Sequence, residues 1–155
     1  MADNNCIRVS SFNCRNVKSS ITEIQQLCND NDILLLQETW LTEDEGGLLN
    51  NVSKYSYAKG ISAMDTSRQI IHGRRGGLAI LWRKSLASSC SLLTYDDTRI
   101  MGIKISTDKK SFLILNVYLP YNDGSNLEDL MFYFGKIDSI IDGFPSPYVY
   151  VCGEL

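Results

Sequence analysis

The chain has 155 residues, enough for one domain with a real core and marginal for two. Its formal net charge of −3 excludes a generally basic nucleic-acid binder but not a local basic face. The polar start has no apolar stretch behind it and no run approaches membrane-spanning length, so neither a secretory leader nor a membrane span is expected.

Residues 1–5 read as a polar extension and 6–155 as the domain. The five cysteines (Cys6, Cys14, Cys28, Cys90, Cys152) form no C-x-x-C pair. That scatter fits reduced thiols in an intracellular compartment, nuclear or cytoplasmic, and not a disulfide framework or a zinc site. Cys6 and Cys152 fall in strand-like runs and are expected as small core residues.

Residues 6–13 (CIRVSSFN) alternate as a strand ending in Asn13. Ser20 and Glu23 have capping-box spacing before a helix with Ile21, Ile24, Leu27 and Cys28 on one stripe. Asn29 to Asp32 stop it. The aliphatic run Ile33-Leu34-Leu35-Leu36 then predicts a strand buried on both faces, since a half-exposed strand would alternate. Strand, helix and buried strand in that order suggest a crossover unit joining parallel neighbours. At the mouth of that strand stand Gln37 and Glu38, and a carboxylate there must be solvated, paired with a cation or bound to a metal.

Thr42 and Glu45 suggest a second capping box, and residues 55–61 a short strand. Residues 62–77 form a polar loop with Arg68, His72, Arg74 and Arg75; His72, the only histidine, reads as a surface residue. Strands are predicted over 77–83 and 90–95, and a hairpin over 98–106 and 111–118 around Thr107-Asp108-Lys109-Lys110. Pro120 closes the last of these. Ser125 and Glu128 open the clearest helix, with Leu127, Leu130, Met131, Phe134, Ile137, Ile140 and Ile141 expected to face a sheet. A final strand is predicted over 148–152, just before Gly153 and Glu154.

Asn13, Glu38, the Asn116/Tyr118 pair and Glu154 all lie at or near predicted strand ends. Ligand sites collect outside the carboxyl ends of strands in sheets built with helical crossovers. Two carboxylates and an amide there would suit a hard cation such as Mg²⁺.

Four blocks carry a resemblance: Ser11-Phe12-Asn13-Cys14-Arg15, Leu36-Gln37-Glu38-Thr39-Trp40, the stretch from Gly73 to Leu81, and Asn116 to Asn122. In order and spacing they resemble the endonuclease/exonuclease/phosphatase superfamily, most closely the apurinic-endonuclease-like domain that opens non-LTR retrotransposon polyproteins. The resemblance implies an α/β (α+β) fold, a four-layer αββα sandwich of the deoxyribonuclease-I-like type, here C-terminally truncated. It implies Mg²⁺ or Mn²⁺ held by Glu38 with Asn13 orienting metal or phosphate, Tyr118 as the phenol beside the scissile phosphate, and Glu154 in the place of the water-activating aspartate. Arg74 and Arg75 would be possible nucleic-acid contacts, DNA the substrate, and a reverse transcriptase the remainder of the polyprotein.

Two departures stand out. Glu154 is one methylene longer than the family's aspartate, and the closing Ser-Asp-His block is absent. The implied activity is metal-dependent DNA nicking, expected to be poor for this stretch. The alternatives are a non-enzymatic retroelement remnant and a phosphodiesterase or phosphatase acting on inositol phosphates or sphingomyelin. Nothing in the sequence sets an oligomeric state.

Overall fold

The computed structural model describes residues 6–64 and 75–155. The aliphatic run forms β2 (Ile33–Gln37), with Ile33, Leu35 and Leu36 wholly inaccessible and Leu34 nearly so. It is buried on both faces because it lies inside its sheet with a layer on either side. β1 (Val9–Asn13) runs parallel to it, joined through helix α1 (Ile21–Asp30), so the expected crossover forms. β3 (Ser56–Ile61) and β4 (Leu78–Arg83) complete a sheet of order β1-β2-β4-β3 with antiparallel pairings.

The second sheet mirrors this plan. β5 (Cys90–Thr94), β6 (Ile100–Ser106) and β7 (Ser111–Tyr118) pair antiparallel around the predicted hairpin. Helix α2 (Leu127–Gly143) then crosses over to β8 (Val149–Glu154), which lies parallel to β7. The order is β5-β6-β7-β8.

Three apolar layers hold the sandwich together. Ile24 and Cys28 of α1 meet Leu34, Leu36, Ala79 and Leu81 on the outside of the first sheet. Ile33, Leu35, Leu78 and Ile80 face Met101, Ile103, Ile105 and Ile114 between the sheets. Leu130 and Ile137 of α2 cover Leu113, Leu115 and Val117 on the far side. The period-two alternation of β2 and β7 thus sends successive side chains into different layers. The architecture is the four-layer αββα sandwich that the sequence suggested.

Several local expectations are corrected. Ser20 caps nothing with its side chain, because its hydroxyl donates to the Cys14 carbonyl (2.7 Å). The N-cap position of α2 falls at Asn126 and not at Ser125, and neither side chain caps it: the Ser125 hydroxyl donates to Asp123 and the Asn126 amide to the Tyr121 carbonyl. Thr42 and Glu45 do form a capping box, but the segment it opens, Glu43–Asn51, is a 3₁₀ helix. On α2 only part of the apolar stripe is covered: Leu127, Met131 and Phe134 stay exposed, since one sheet can bury only one face of a helix. Cys6 is exposed before the edge strand and Cys152 half-buried, while Cys14 and Cys28 are the core thiols. Burial raises both of the latter to about 11, so they stay protonated near neutrality. The five-residue N-terminal extension, Arg68, His72 and Arg74 lie outside the described residues.

Among the described residues no helix is long and apolar enough to cross a membrane. Among the described residues the outer edges of β1 and β8 have no partner strand. Between them opens an apolar cleft of about 620 Å³ lined by Ile7, Val9, Ile105, Phe112, Tyr150 and Cys152 among others.

Candidate metal and phosphate site

Asn13, Tyr118 and Glu154 are the last residues of β1, β7 and β8, and Glu38 follows the last residue of β2. These are the two parallel pairs, so their carboxyl ends point the same way. Side-chain bonds join the pairs across the sandwich. The Tyr118 hydroxyl donates to Glu38 Oε1 (2.8 Å), and Asn13 Nδ2 donates to the same oxygen (3.2 Å). Asn13 Nδ2 also reaches Glu154 Oε2. Asn13, Glu38, Tyr118 and Glu154 therefore converge.

Local backbone chemistry fixes them. Glu38 leaves the β conformation at φ +53°, which turns its carboxylate away from the buried strand and towards the site. The Glu38 carbonyl accepts from the Asn16 amide (2.8 Å) and the Thr39 carbonyl from the Val17 amide (3.1 Å). On the other side Thr39 and Trp40 donate to the carbonyls of Gly77 (3.2 Å) and Gly76 (3.0 Å). Gly77 sits at φ +89° with Thr39 Oγ1 where a Cβ would be, so only glycine fits. Three of the sequence blocks are thus one physical unit, the Asn-Cys-Arg turn and the Gly-Gly turn clamping the Glu-Thr-Trp turn between them.

Gly153 is fixed as firmly. It pairs with Val117 at φ +126°, and a Cβ would run into the Val117 carbonyl. The Leu119 amide donates to the Glu154 carbonyl (3.0 Å), which holds the end of β8 beside Tyr118.

Electrostatics follow from these contacts. Burial alone would raise the Glu38 carboxyl, but bonds from Tyr118, Asn13 and Trp40 and the nearby Arg15 charge outweigh it and hold it below the usual range. Tyr118 is pushed up to about 12, by burial first and then by its bond to Glu38 and the charges of Glu38 and Glu154. Arg99 opposes that rise; its guanidinium lies 5.5 Å from the centre of the Tyr118 ring, and its Nη1 donates to the Tyr118 carbonyl (3.0 Å). At neutral pH the site presents an ionised Glu38 and a neutral phenol that can only donate or accept a hydrogen bond.

The donor set fits a hard divalent cation such as Mg²⁺ or Mn²⁺. Such ions take one or two carboxylates and keep several waters. Glu38 is half-buried and Glu154 exposed, so water reaches both. Asn13 meets the carboxylates through its amide nitrogen, while its Oδ1 accepts from the Arg15 amide (3.3 Å). Asn13 thus couples the two carboxylates. Arg75 is exposed and Arg74 is outside the described residues.

Asn116 was expected beside Tyr118 at the strand end, and it lies instead in the core. It is fully buried, accepts from Gln37 Nε2 (2.7 Å), and donates to the Leu36 and Ala79 carbonyls (both 3.0 Å). Its role is to tie the sheets together beneath the site. Sequence reasoning missed Trp40 as a partner of Glu38, the Gln37–Asn116 pair, and Arg99. Only Trp40 and Gln37 carried a signal, since both flank Glu38.

The four-layer αββα sandwich thus brings coupled carboxylates, an amide and a phenol together at its strand ends. The chain belongs to the endonuclease/exonuclease/phosphatase family, whose model matches residues 10–151. A search of curated proteins finds no match. Among solved structures it is similar to the 3′ phosphatase NExo from Neisseria bound to a product DNA hairpin, with TM-score 0.70 and 16% identity, covering 96% of this chain and 57% of that one. An AP endonuclease from Archaeoglobus fulgidus gives TM-score 0.62 and 16% identity, covering 96% and 56%. The human Nocturnin catalytic domain with bound sulfate gives TM-score 0.62 and 15% identity, covering 95% and 62%. The chain therefore spans a little over half the length of these structures.

Proposed function

We propose that the chain carries the metal-binding half of a divalent-metal-dependent phosphodiesterase that nicks DNA. The observation that carries this reading is the Tyr118–Glu38–Asn13–Glu154 chain of hydrogen bonds across the ends of two parallel strand pairs. Glu38 and Glu154 would hold Mg²⁺ or Mn²⁺, which when bound neutralises charge on a phosphate oxygen and lowers the pKa of a bound water. Tyr118 stays protonated beside the phosphate, with its single O–H held on Glu38. Asn13 keeps the carboxylates in register, and Glu154 is the candidate base for the attacking water. DNA as substrate draws support from the NExo structure with its DNA hairpin. The wording of the blocks around Glu38 and Gly77 supports a retroelement polyprotein, with a reverse transcriptase elsewhere in it.

The four residues include no group that would stabilise the phosphate from the side opposite the metal, and groups acting as a unit fail together. Weak nicking is therefore expected of these 155 residues. A second reading, a non-enzymatic remnant that keeps the fold, is favoured by the open β1 and β8 edges and the apolar cleft between them. The test is a Mg²⁺-dependent supercoiled-plasmid assay beside Mn²⁺ titration calorimetry, comparing the chain with Glu38→Ala. Mn²⁺ binding and trace nicking, both lost in the variant, support the enzyme reading. Mn²⁺ binding without nicking favours the remnant, and nicking indifferent to Glu38 overturns the site.

A further inference from the structure

We propose that Trp40 is a positioning residue that locks Glu38 so that a single acceptor position, on Oε2, remains open to a divalent cation. The inference rests on the metal-site reading above and deepens it.

An ionised carboxylate offers about four lone-pair positions. On Glu38, Oε1 accepts from Tyr118 (2.8 Å) and from Asn13 (3.2 Å), which fills that oxygen. Oε2 accepts from the indole Nε1–H of Trp40 (3.0 Å). One position on Oε2 is left, so Glu38 is arranged as a monodentate ligand. Outer partners of this kind fix the orientation of a metal-binding side chain and tune its affinity.

The backbone argues that the indole was brought to Glu38 for this contact and is not mere apolar cover. Trp40 sits at φ +55°, a region that bulky residues avoid, and Glu38 two residues earlier sits at φ +53°. Of the five non-glycine residues with positive φ among those described, four (Arg15, Asn16, Glu38 and Trp40) are in the two turns that hold the site. Strain of this sort persists only where the surroundings over-determine it. Here the Gly76 and Gly77 carbonyls pin Trp40 and Thr39 from one side, while the Asn16 and Val17 amides pin Glu38 and Thr39 from the other. A tryptophan that only covered the core could have been placed from ordinary β or α backbone. The left-handed turn reverses the chain so that a side chain two residues on can donate back to Glu38.

Phenylalanine at this position keeps the ring and removes the donor. Calorimetric Mn²⁺ titration should show Trp40→Phe binding about 10–100-fold more weakly than wild type at unchanged melting temperature, with Glu38→Gln abolishing binding as the control. Should Trp40→Phe fail to fold, the indole proton supplies a second measurement in the otherwise native chain. In a ¹H–¹⁵N spectrum the Trp40 indole signal, separated from that of Trp82, should move upfield in Glu38→Gln. It should keep its position when Mg²⁺ is added to wild type, since the ion takes the free lone pair. Full Mn²⁺ affinity in a folded Trp40→Phe overturns the inference and leaves the site reading standing. So does an indole signal indifferent to Glu38→Gln, or one displaced by Mg²⁺. Equal Mn²⁺ affinity in wild type and Glu38→Gln overturns the site reading itself, and the inference falls with it.

Discussion

Removing the amide of Asn116 tests whether the site is held from below. Its three hydrogen bonds, to Gln37 and to the Leu36 and Ala79 carbonyls, are polar links in the largely apolar interior between the sheets, beneath the Tyr118–Glu38 and Asn13–Glu154 bonds at its rim. At about 0.5–1.5 kcal/mol net each, their joint loss in Asn116→Ala amounts to ~2–4 kcal/mol. That is a large share of the roughly 5–15 kcal/mol that holds a domain together, and for this size it corresponds to a melting temperature lower by about 5–15 °C. Asn116→Asp adds a pH signature. It keeps the acceptor for Gln37 but turns a carboxylate towards two carbonyl oxygens, which raises its folded pKa above the unfolded value of about 3.9. Stability should then be best at low pH and fall as pH rises through that window. Urea unfolding followed by circular dichroism at pH 4 and pH 7 measures both effects. A loss under about 1 kcal/mol in the alanine variant, or an aspartate variant indifferent to pH, would refute the claim that this amide docks the sheets.

Gly153→Ala should cost at least about 3 kcal/mol and most of the soluble yield, since a Cβ meets the Val117 carbonyl and φ is +126°; an unchanged melting temperature would contradict it. The Tyr118 phenol should titrate near 12 in ¹³C-tyrosine spectra, and Glu38→Gln should lower that value by removing the adjacent negative charge. Because its folded pKa is raised, Tyr118 contributes stability that is full below about pH 10 and is lost as pH rises through 12. Val9→Lys, on the unpaired β1 edge and at a residue 38% exposed, should raise the concentration at which the chain aggregates without lowering its melting temperature; unchanged aggregation would show that the edge is not the liability.

What the sequence disclosed followed from how local each signal was. The run from Ile33 to Leu36 is apolar at every position, so its two-sided burial could be read without knowing its neighbours. Capping was less legible. Ser20 and Ser125 have the spacing of caps, yet Cys14 and Asp123 claim their hydroxyls, and only the folded geometry decides between competing acceptors. The α2 stripe was over-read because periodicity locates an apolar face but not the area available to cover it. Of the site, Asn13, Glu38, Tyr118 and Glu154 were visible as polar residues closing strands. Asn116 was visible only as a polar residue near Tyr118, because the Gln37 amide and the Leu36 and Ala79 carbonyls that let it stay buried come from the other sheet.

The convergence itself has a topological cause that no single segment contains. In a purely antiparallel sheet neighbouring strands end at opposite sides, so two adjacent carboxyl ends cannot meet. Here α1 and α2 each return the chain over a sheet and convert one pairing to parallel, β1 with β2 and β7 with β8. Stacking the two parallel pairs puts four strand ends at one place, which is why Asn13 can bond both Glu38 and Glu154. The antiparallel partners contribute their beginnings at the same end. Gly76 and Gly77 lead into β4 and brace the Glu38 turn, and Arg99 precedes β6 and lies on the Tyr118 ring. The crossover helices thus act on the chemistry without touching it, by setting the direction in which four strands deliver their last side chains.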